Sequence, residues 1–190
     1  MFVRQNQQQF RNSNADVKIF YGNQPSGVGI KGQTWNKPVG VSHIYMMLIG
    51  AGGPGDGTNG GGSGNVTVWL GAAQNVPDVL IVQVSTNSTS YVSYQTSSSS
   101  FITLLTGNAA TTITGGTAMT ANQFANMGFF QSVAGQDGTA GLIVAPTNTF
   151  ITAGGTSGGA NPERTHYGYT TTNSVASNGY FILQPIIVGI

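Results

Sequence analysis

Short apolar runs separated by turn residues recur along this chain at intervals of about ten residues, which is typical of a β-sandwich or jelly roll. The clearest run, residues 43–49, is apolar on both faces, so we predict a buried strand there. The sequence predicts an all-β fold with little helix. The other predicted strands cover residues 16–21, 33–36, 66–70, 79–85, 90–95, 101–106, 110–114, 142–145, 149–153 and 180–190.

One stretch has a helix start signal. Thr120 can cap a helix, and Gln123 follows at the spacing of a capping box. Gly128 would end such a helix. We therefore predict a short helix over residues 120–127, and we interpret the serine run 97–100 as a linker.

Glycine is concentrated in the connection between the predicted strands 43–49 and 66–70. Nine residues between positions 50 and 64 are glycine. Glycine loses more chain entropy on ordering than any other residue, so this loop either packs closely against other backbone or is mobile. We expect packing, and we expect the glycines to need positive φ angles. A second glycine-rich loop covers residues 153–161.

The first loop contains a literal G-x-G-x-x-G at Gly50, Gly52 and Gly55. A dinucleotide site needs a helix after the glycines and an acidic residue about 20 positions on. The residues after Gly55 cannot begin a stable helix, and no acidic residue lies between Asp56 and Asp78. The loop also lacks the lysine of a phosphate-binding loop. We therefore predict no nucleotide cofactor.

Residues 155–159 match G-x-S-x-G, the form of a nucleophile elbow. The α/β alternation that positions such an elbow is absent, and the available bases are His43 and His166. His43 lies in a predicted strand and is more typical of a packed histidine. We predict no enzymatic activity, no catalytic residue and no metal. The acidic residues are scattered, at Asp16, Asp56, Asp78, Asp137 and Glu163.

The N-glycosylation triplets at Asn65 and Asn87 are expected in a chain rich in Asn and Thr. Residues 1–10 carry no apolar signal core, so we interpret both triplets as chance. The chain has no cysteine, which excludes disulfides and thiolate metal sites. No apolar run is long enough for a membrane span.

The chain contains unusually few charged residues. Charged residues make up 6% of it, whereas globular proteins carry about 25%. The net charge is +1, and polarity comes from Ser, Thr, Asn and Gln. Because charge normally keeps free monomers apart, this composition favours a chain that packs against neighbours. A secreted β-protein with a Thr-rich surface is the alternative.

Residues 1–15 are polar and rich in Gln and Asn. They carry too few apolar side chains to compensate for the conformational entropy that they would lose on ordering. We predict an extended N-terminal arm held by a neighbouring subunit, followed by one glycine-rich β domain over residues 16–190. Two arginines are too few for nucleic-acid binding. The candidate partner-binding residues are Phe2, Arg4, Phe10 and Arg11 in the arm, and His166, Tyr167 and Tyr169 beside the second glycine loop.

Several segments follow one another in a recognisable order: a Trp strand with Pro and Gly-Val, an apolar strand ending in Ile-Gly-x-Gly-Gly, a glycine run, and two valine-containing strands. A Gly-Tyr-Phe strand closes the pattern. This order resembles the glycine-rich domain of virion proteins, found in phage tail-fibre tips and in capsid-associated proteins of large DNA viruses. The segments are residues 34–41, 48–53, 60–64, 66–68, 80–84 and 178–183.

The resemblance implies a non-enzymatic virion protein. We expect a minor capsid (cement) protein in an icosahedral shell, with the major capsid protein, neighbouring minor proteins and further copies of itself as partners. The alternative is a host-glycan-binding adhesin of a phage tail fibre or spike, in which the tyrosines would stack on sugars. We expect the role in the capsid shell, because the sequence shows no fibre shaft ahead of the domain.

Overall fold

The computed structural model describes residues 17–21, 32–53, 61–85, 88–97, 100–138 and 180–186. These residues form β-strands and two 3-10 turns, with no α-helix among them, so the all-β prediction is confirmed for this part of the chain. None of its helical turns is long and apolar enough to cross a membrane. The strands are β1 (Lys18–Tyr21), β2 (Gln33–Asn36), β3 (His43–Ile49), β4 (Val66–Ala72), β5 (Val79–Gln83), β6 (Ser90–Ser97), β7 (Ser100–Gly107), β8 (Gly128–Val133) and β9 (Tyr180–Ile186).

The strands form two antiparallel sheets. One has five strands in the order β1-β9-β3-β4-β8, and the other has four in the order β2-β5-β6-β7. The first and last strands along the chain are therefore neighbours, in register from Lys18 opposite Leu183 to Tyr21 opposite Tyr180. β3 lies at the centre of the larger sheet, between β9 and β4.

Both sheets contribute side chains to one apolar cluster, the shared core. Strand residues alternate between the two faces of a sheet, so every second residue of β3 points into this core. The ring of Trp69 stacks on Phe124, with ring centroids 4.5 Å apart and planes inclined at 25°. The five-stranded sheet supplies Phe20, Ile44, Met46, Leu48 and Trp69, and the four-stranded sheet supplies Trp35, Leu80, Val82, Val92, Leu104 and Leu105.

The opposite face of the five-stranded sheet carries a second apolar cluster, the outer cluster. Ile49, Val66 and Val68 are buried in it, and Tyr45 and Met47 pack against them. β3 therefore has apolar contacts on both faces, which confirms the prediction made from its sequence pattern.

We expect the stability of the fold to fall at alkaline pH partly through Tyr45. Burial against the outer cluster raises the pKa of Tyr45 above its ordinary value of 10.0, because the phenolate is poorly solvated there. The unfolded chain then loses this proton before the folded chain does. The stabilising effect is complete below pH 10.0 and is lost as the pH rises through the folded pKa.

Urea unfolding at increasing pH tests this expectation. The Tyr45→Phe variant should lose less stability than the native chain above pH 10.0. At neutral pH, where the phenol is protonated in both states, the two should have a similar pH dependence. Parallel loss of stability in the two proteins at alkaline pH would contradict the assignment.

Lys37 joins three parts of the chain between β2 and β5. Its Nζ donates to the carbonyl oxygens of Ala73 at 3.1 Å and Val76 at 2.6 Å, and it lies 2.8 Å from the carboxylate of Asp78. The Asp78 side chain is largely exposed, so the ion pair itself contributes little. The two carbonyl bonds hold the 3-10 turn Ala73–Asn75 beneath the lysine.

The helix predicted over residues 120–127 is wrong. The chain forms only the 3-10 turn Ala125–Met127, where the Oδ1 of Asn122 accepts from the N–H of Ala125 at 2.9 Å. Gly128 does not terminate a helix but begins β8 with an extended backbone at φ −158°. β8 was therefore missed by the sequence analysis.

Two further expectations in the middle of the chain are corrected. Residues 110–114, predicted as a strand, have no strand pairing and belong to a loop. The serine run predicted as a linker contains the adjoining ends of β6 and β7, with Ser97 paired opposite Ser100. The predicted strands 142–145 and 149–153 and the second glycine loop lie outside the described residues.

Candidate functional site

Four backbone segments meet at one end of the two sheets. Residues 50–53 follow β3, and residues 61–65 lead into β4. Residues 108–116 follow β7, and residues 134–138 follow β8. Ile49 and Val133 both lie opposite Val66 in the sheet, so these segments start side by side. We call them together the glycine cluster.

The segments of the glycine cluster are in direct backbone contact. A Cβ atom added to any of several glycines would lie within 3.0 Å of backbone atoms of another segment, a distance that Cβ atoms essentially never reach. Hydrogen as a side chain is therefore what allows the segments to approach. The pairs are Gly50 with Asn108, Gly53 with Thr111, Gly62 with Thr114, Gly116 with Asn65 and Gly135 with Ser63.

Backbone hydrogen bonds connect the same segments. They pair residues of different segments as a sheet would, although the residues are not strands. This pairing satisfies polar groups that the close packing removes from water. The bonds run from Gly53 N to Gly62 O (2.9 Å), Ala110 N to Ala51 O (2.9 Å), Ser63 N to Gln136 O (2.9 Å), Gly116 N to Ser63 O (2.8 Å) and Gly135 N to Gly116 O (2.8 Å).

The described ends of the first glycine loop pack as expected, but not for the expected reason. Among the described glycines, only Gly40 has a positive φ, of 84°, and it lies outside the cluster in the turn before β3. Close approach, not left-handed backbone, explains the glycines of the cluster. The G-x-G-x-x-G resemblance also lacks its required context, because β3 leads into the antiparallel strand β4.

A buried polar network lies directly beneath the glycine cluster. Asn65 is fully buried, and its Oδ1 accepts from the backbone N–H of Asn108 at 2.6 Å. Its Nδ2 donates to Thr67 Oγ1 at 3.1 Å and to Ser132 Oγ at 3.2 Å. We call these residues, with the groups they bind, the Asn65 network. It connects β4, β8 and the loop after β7.

The proton positions in the Asn65 network follow from counting donors. Thr67 Oγ1 donates its one proton to the carbonyl oxygen of Thr106 at 2.9 Å. Ser132 must therefore donate in its 2.8 Å contact with Thr67. Ser132 Oγ also accepts from Asn65 and from Met119 N at 2.8 Å. Every hydroxyl and amide proton is used, so the network has one consistent arrangement.

The sequence analysis did not select Asn65 or Thr67 for a structural role, although a signal for Thr67 was present. Alternation along β4 places Thr67 on the same face as Trp69, and a hydroxyl facing a core needs a partner. Asn65 had been considered only as a glycosylation site. Its side-chain amide is buried and hydrogen-bonded at both donor positions, which supports the interpretation of that triplet as chance.

Every partner-binding residue selected from the sequence lies outside the described residues, as does the G-x-S-x-G segment 155–159. These residues are Phe2, Arg4, Phe10, Arg11, His166, Tyr167 and Tyr169. His43 is described: it is the first residue of β3, only partly buried, with Nδ1 at 3.2 Å from Ser42 Oγ. It does not lie in the core, and a packed position at an interface stays a prediction.

The polar groups of the glycine cluster and of the Asn65 network are of few chemical types. The side chains are amides and hydroxyls, and the one carboxylate, from Asp137, accepts from the N–H of Gly115 at 2.8 Å. In the described ranges, no three His, Asp or Glu residues lie together in a way that could hold a metal ion. The arrangement fixes four loops relative to both sheets.

No protein-family model matches the chain, and the search of curated proteins finds no match.

Proposed function

We propose that this chain is a non-enzymatic structural protein of a virus particle, a minor capsid protein that cements neighbouring capsomers. The observation that supports this most is a surface with little charge and many exposed apolar side chains. The described ranges contain only four Lys, Arg, Asp or Glu side chains, those of Lys18, Lys37, Asp78 and Asp137, and Lys37 pairs with Asp78.

Large apolar side chains are exposed on both sheets. Scattered exposed apolar residues are normal, but here few charges separate them. A surface of this kind gains by contact with neighbours and offers little electrostatic repulsion against them. The exposed residues are Ile19, Val39, Leu70, Val79, Tyr91, Phe101, Ile102, Met127 and Phe129.

The glycine cluster and the Asn65 network support a structural role in a second way. Together they tie four loops to the sheets by backbone contact and satisfied hydrogen bonds. Loops held in this way need little further ordering when a neighbour docks, which lowers the entropy cost of assembly. A cement protein benefits from such a rigid surface.

The proposal includes the finer architecture and the arm. The two sheets would form a β-sandwich of the jelly-roll type, a view supported by their shared core. Residues 1–15 would contact a neighbouring subunit in the capsid, either the major capsid protein or another minor protein. The chain would then be located in the virion, without nucleic acid, membrane span or cofactor.

Quantitative mass spectrometry of purified virus particles tests this role. The native chain should be present in a constant ratio to the major capsid protein. A chain lacking residues 1–15, supplied in its place, should fold but be incorporated several-fold less well. Absence of the native chain from purified particles would overturn the proposal. Confinement to tail fibres, with binding to glycans, would favour the adhesin instead.

A further inference from the structure

The edges of the two sheets differ in how well they are protected. An edge strand exposes unpaired N–H and C=O groups, and proteins protect such edges with lysine, proline, bulges or covering segments. β1 carries the exposed Lys18, and the short β2 is followed directly by Lys37 and Pro38. The charge of Lys18 therefore disfavours pairing at β1, and Pro38, which has no N–H to donate, limits pairing beyond the end of β2.

The edge at β7 is protected by covering groups. The side-chain amide of Asn122 donates to the carbonyl oxygen of Leu104 at 3.0 Å, and the N–H of Thr106 points to Met119 Sδ at 3.2 Å. The pairing of β7 with β6 also shifts register at two places, which bends the strand. Only the first residues of β7 have no covering group at this edge in the described structure.

β8 has none of these protections. Residues 128–133 contain no charged residue and no proline, and the strand pairs with β4 without any shift of register. In the described structure, the backbone groups of residues 129–133 make no hydrogen bond outside the ladder with β4. Within the described part of the chain, β8 is thus a regular, uncharged edge whose outward backbone groups have no hydrogen-bond partner.

The face beside this edge is also apolar. Phe129 is 55% exposed and lies directly opposite Leu70, which is 36% exposed. Tyr45 lies opposite Leu70 on the next strand. An apolar stripe therefore crosses three strands and ends at the free edge. Met127, 43% exposed, lies just before β8.

We propose that β8 pairs antiparallel with β8 of a second copy of this chain, which joins two five-stranded sheets into one continuous sheet. An antiparallel edge is its own complement about a two-fold axis, so no second type of surface is needed. Two copies meet without repulsion, because the edge is uncharged and the net charge of the chain is +1. The pairing also continues the apolar outer face from one copy to the other, because Phe129 and Val133 lie on that face near the two ends of β8, and this removes apolar surface from water.

This self-association does not rest on the virion role, since it concerns the isolated chain. Sedimentation or light scattering over a range of concentrations should show a dimer for the native chain. The Gln131→Lys variant places a charge on an exposed edge position and should be monomeric where the native chain is dimeric. Gln33→Lys, the same substitution on the exposed edge strand β2, is the matched control and should remain dimeric.

The outcomes separate clearly. Support for the pairing would be a dimeric control together with a monomeric Gln131→Lys variant that unfolds at the same temperature as the native chain at concentrations where both are monomeric. A native chain that is monomeric at every concentration overturns it, and so does a Gln131→Lys variant that still dimerises. In either case the particle experiment would still test the virion role independently.

Cysteine cross-linking provides a second test, because the chain has no cysteine of its own. Single cysteines at Phe129, Gln131 and Val133 lie on one face of β8, and the position nearest the two-fold axis should form an intermolecular disulfide upon mild oxidation. A cysteine at Gln33 should cross-link much more slowly. Equal rates at Gln33 and at every β8 position would overturn the proposal.

Discussion

Replacing Asn65 with leucine is expected to lower the free energy of unfolding by about 3 kcal/mol, because a buried hydrogen-bonding hub is removed without a substitute. The N–H of Asn108 would lose its acceptor at 2.6 Å in a partly buried position. Thr67 and Ser132 would each lose a donor, although their mutual bond would remain. Leaving a buried donor without an acceptor costs about 1–3 kcal/mol, and each further hydrogen bond that is lost adds about 1 kcal/mol.

Chemical unfolding of two variants with the same substitution provides the measurement. Asn75 is the matched control, since its Nδ2 donates to Met127 O at 3.2 Å in an exposed setting. Asn75→Leu should cost less than about 1 kcal/mol, because water can replace the lost partner. Equal losses in the two variants would mean that the Asn65 network does not contribute more than an ordinary surface bond.

Replacing Gly53 or Gly135 with alanine is expected to destabilise the fold by about 2 kcal/mol or more, because a methyl group has no room in the glycine cluster. The added Cβ would press on the backbone of Thr111 in the first case and of Ser63 in the second. Backbone atoms cannot rotate away as the end of a flexible side chain can. The segments would have to separate and weaken the bond between Gly53 N and Gly62 O.

Comparison with Gly40 separates crowding from backbone conformation. Gly40 has a φ of 84° and nothing within 4 Å of an added Cβ. Asparagine tolerates a positive φ better than alanine does, so Gly40→Asn should be milder than Gly40→Ala. At Gly53 the order should reverse, because asparagine is larger. The same order at both positions, measured by thermal unfolding, would show that close approach is not the reason for the glycine at position 53.

Strand prediction succeeded where a periodic apolar pattern was bounded by turn residues. β2 and β3 have the predicted bounds, and β4 only extends further. β3 buries every second side chain in the shared core, and β2 and β4 contribute Trp35 and Trp69 to it, so burial and local pattern agree. Prediction failed at β8, where the capping signal of Thr120 and Gln123 suggested a helix. The chain forms a single 3-10 turn instead, in which Asn122 Oδ1 accepts from Ala125 N–H, and pairing of Leu70 with Phe129 makes the next residues a strand.

The sequence by itself determined the all-β class, the buried central strand and the low charge, because these depend on composition and on patterns within a few residues. It also showed that so many glycines in one loop require a physical explanation. Only the tertiary structure showed that this explanation is close backbone approach, because Gly53 and Gly135 contact segments distant in sequence. The same holds for the Asn65 network and the free edge of β8. Both depend on which strands become neighbours, and a local pattern carries little information about partners far along the chain.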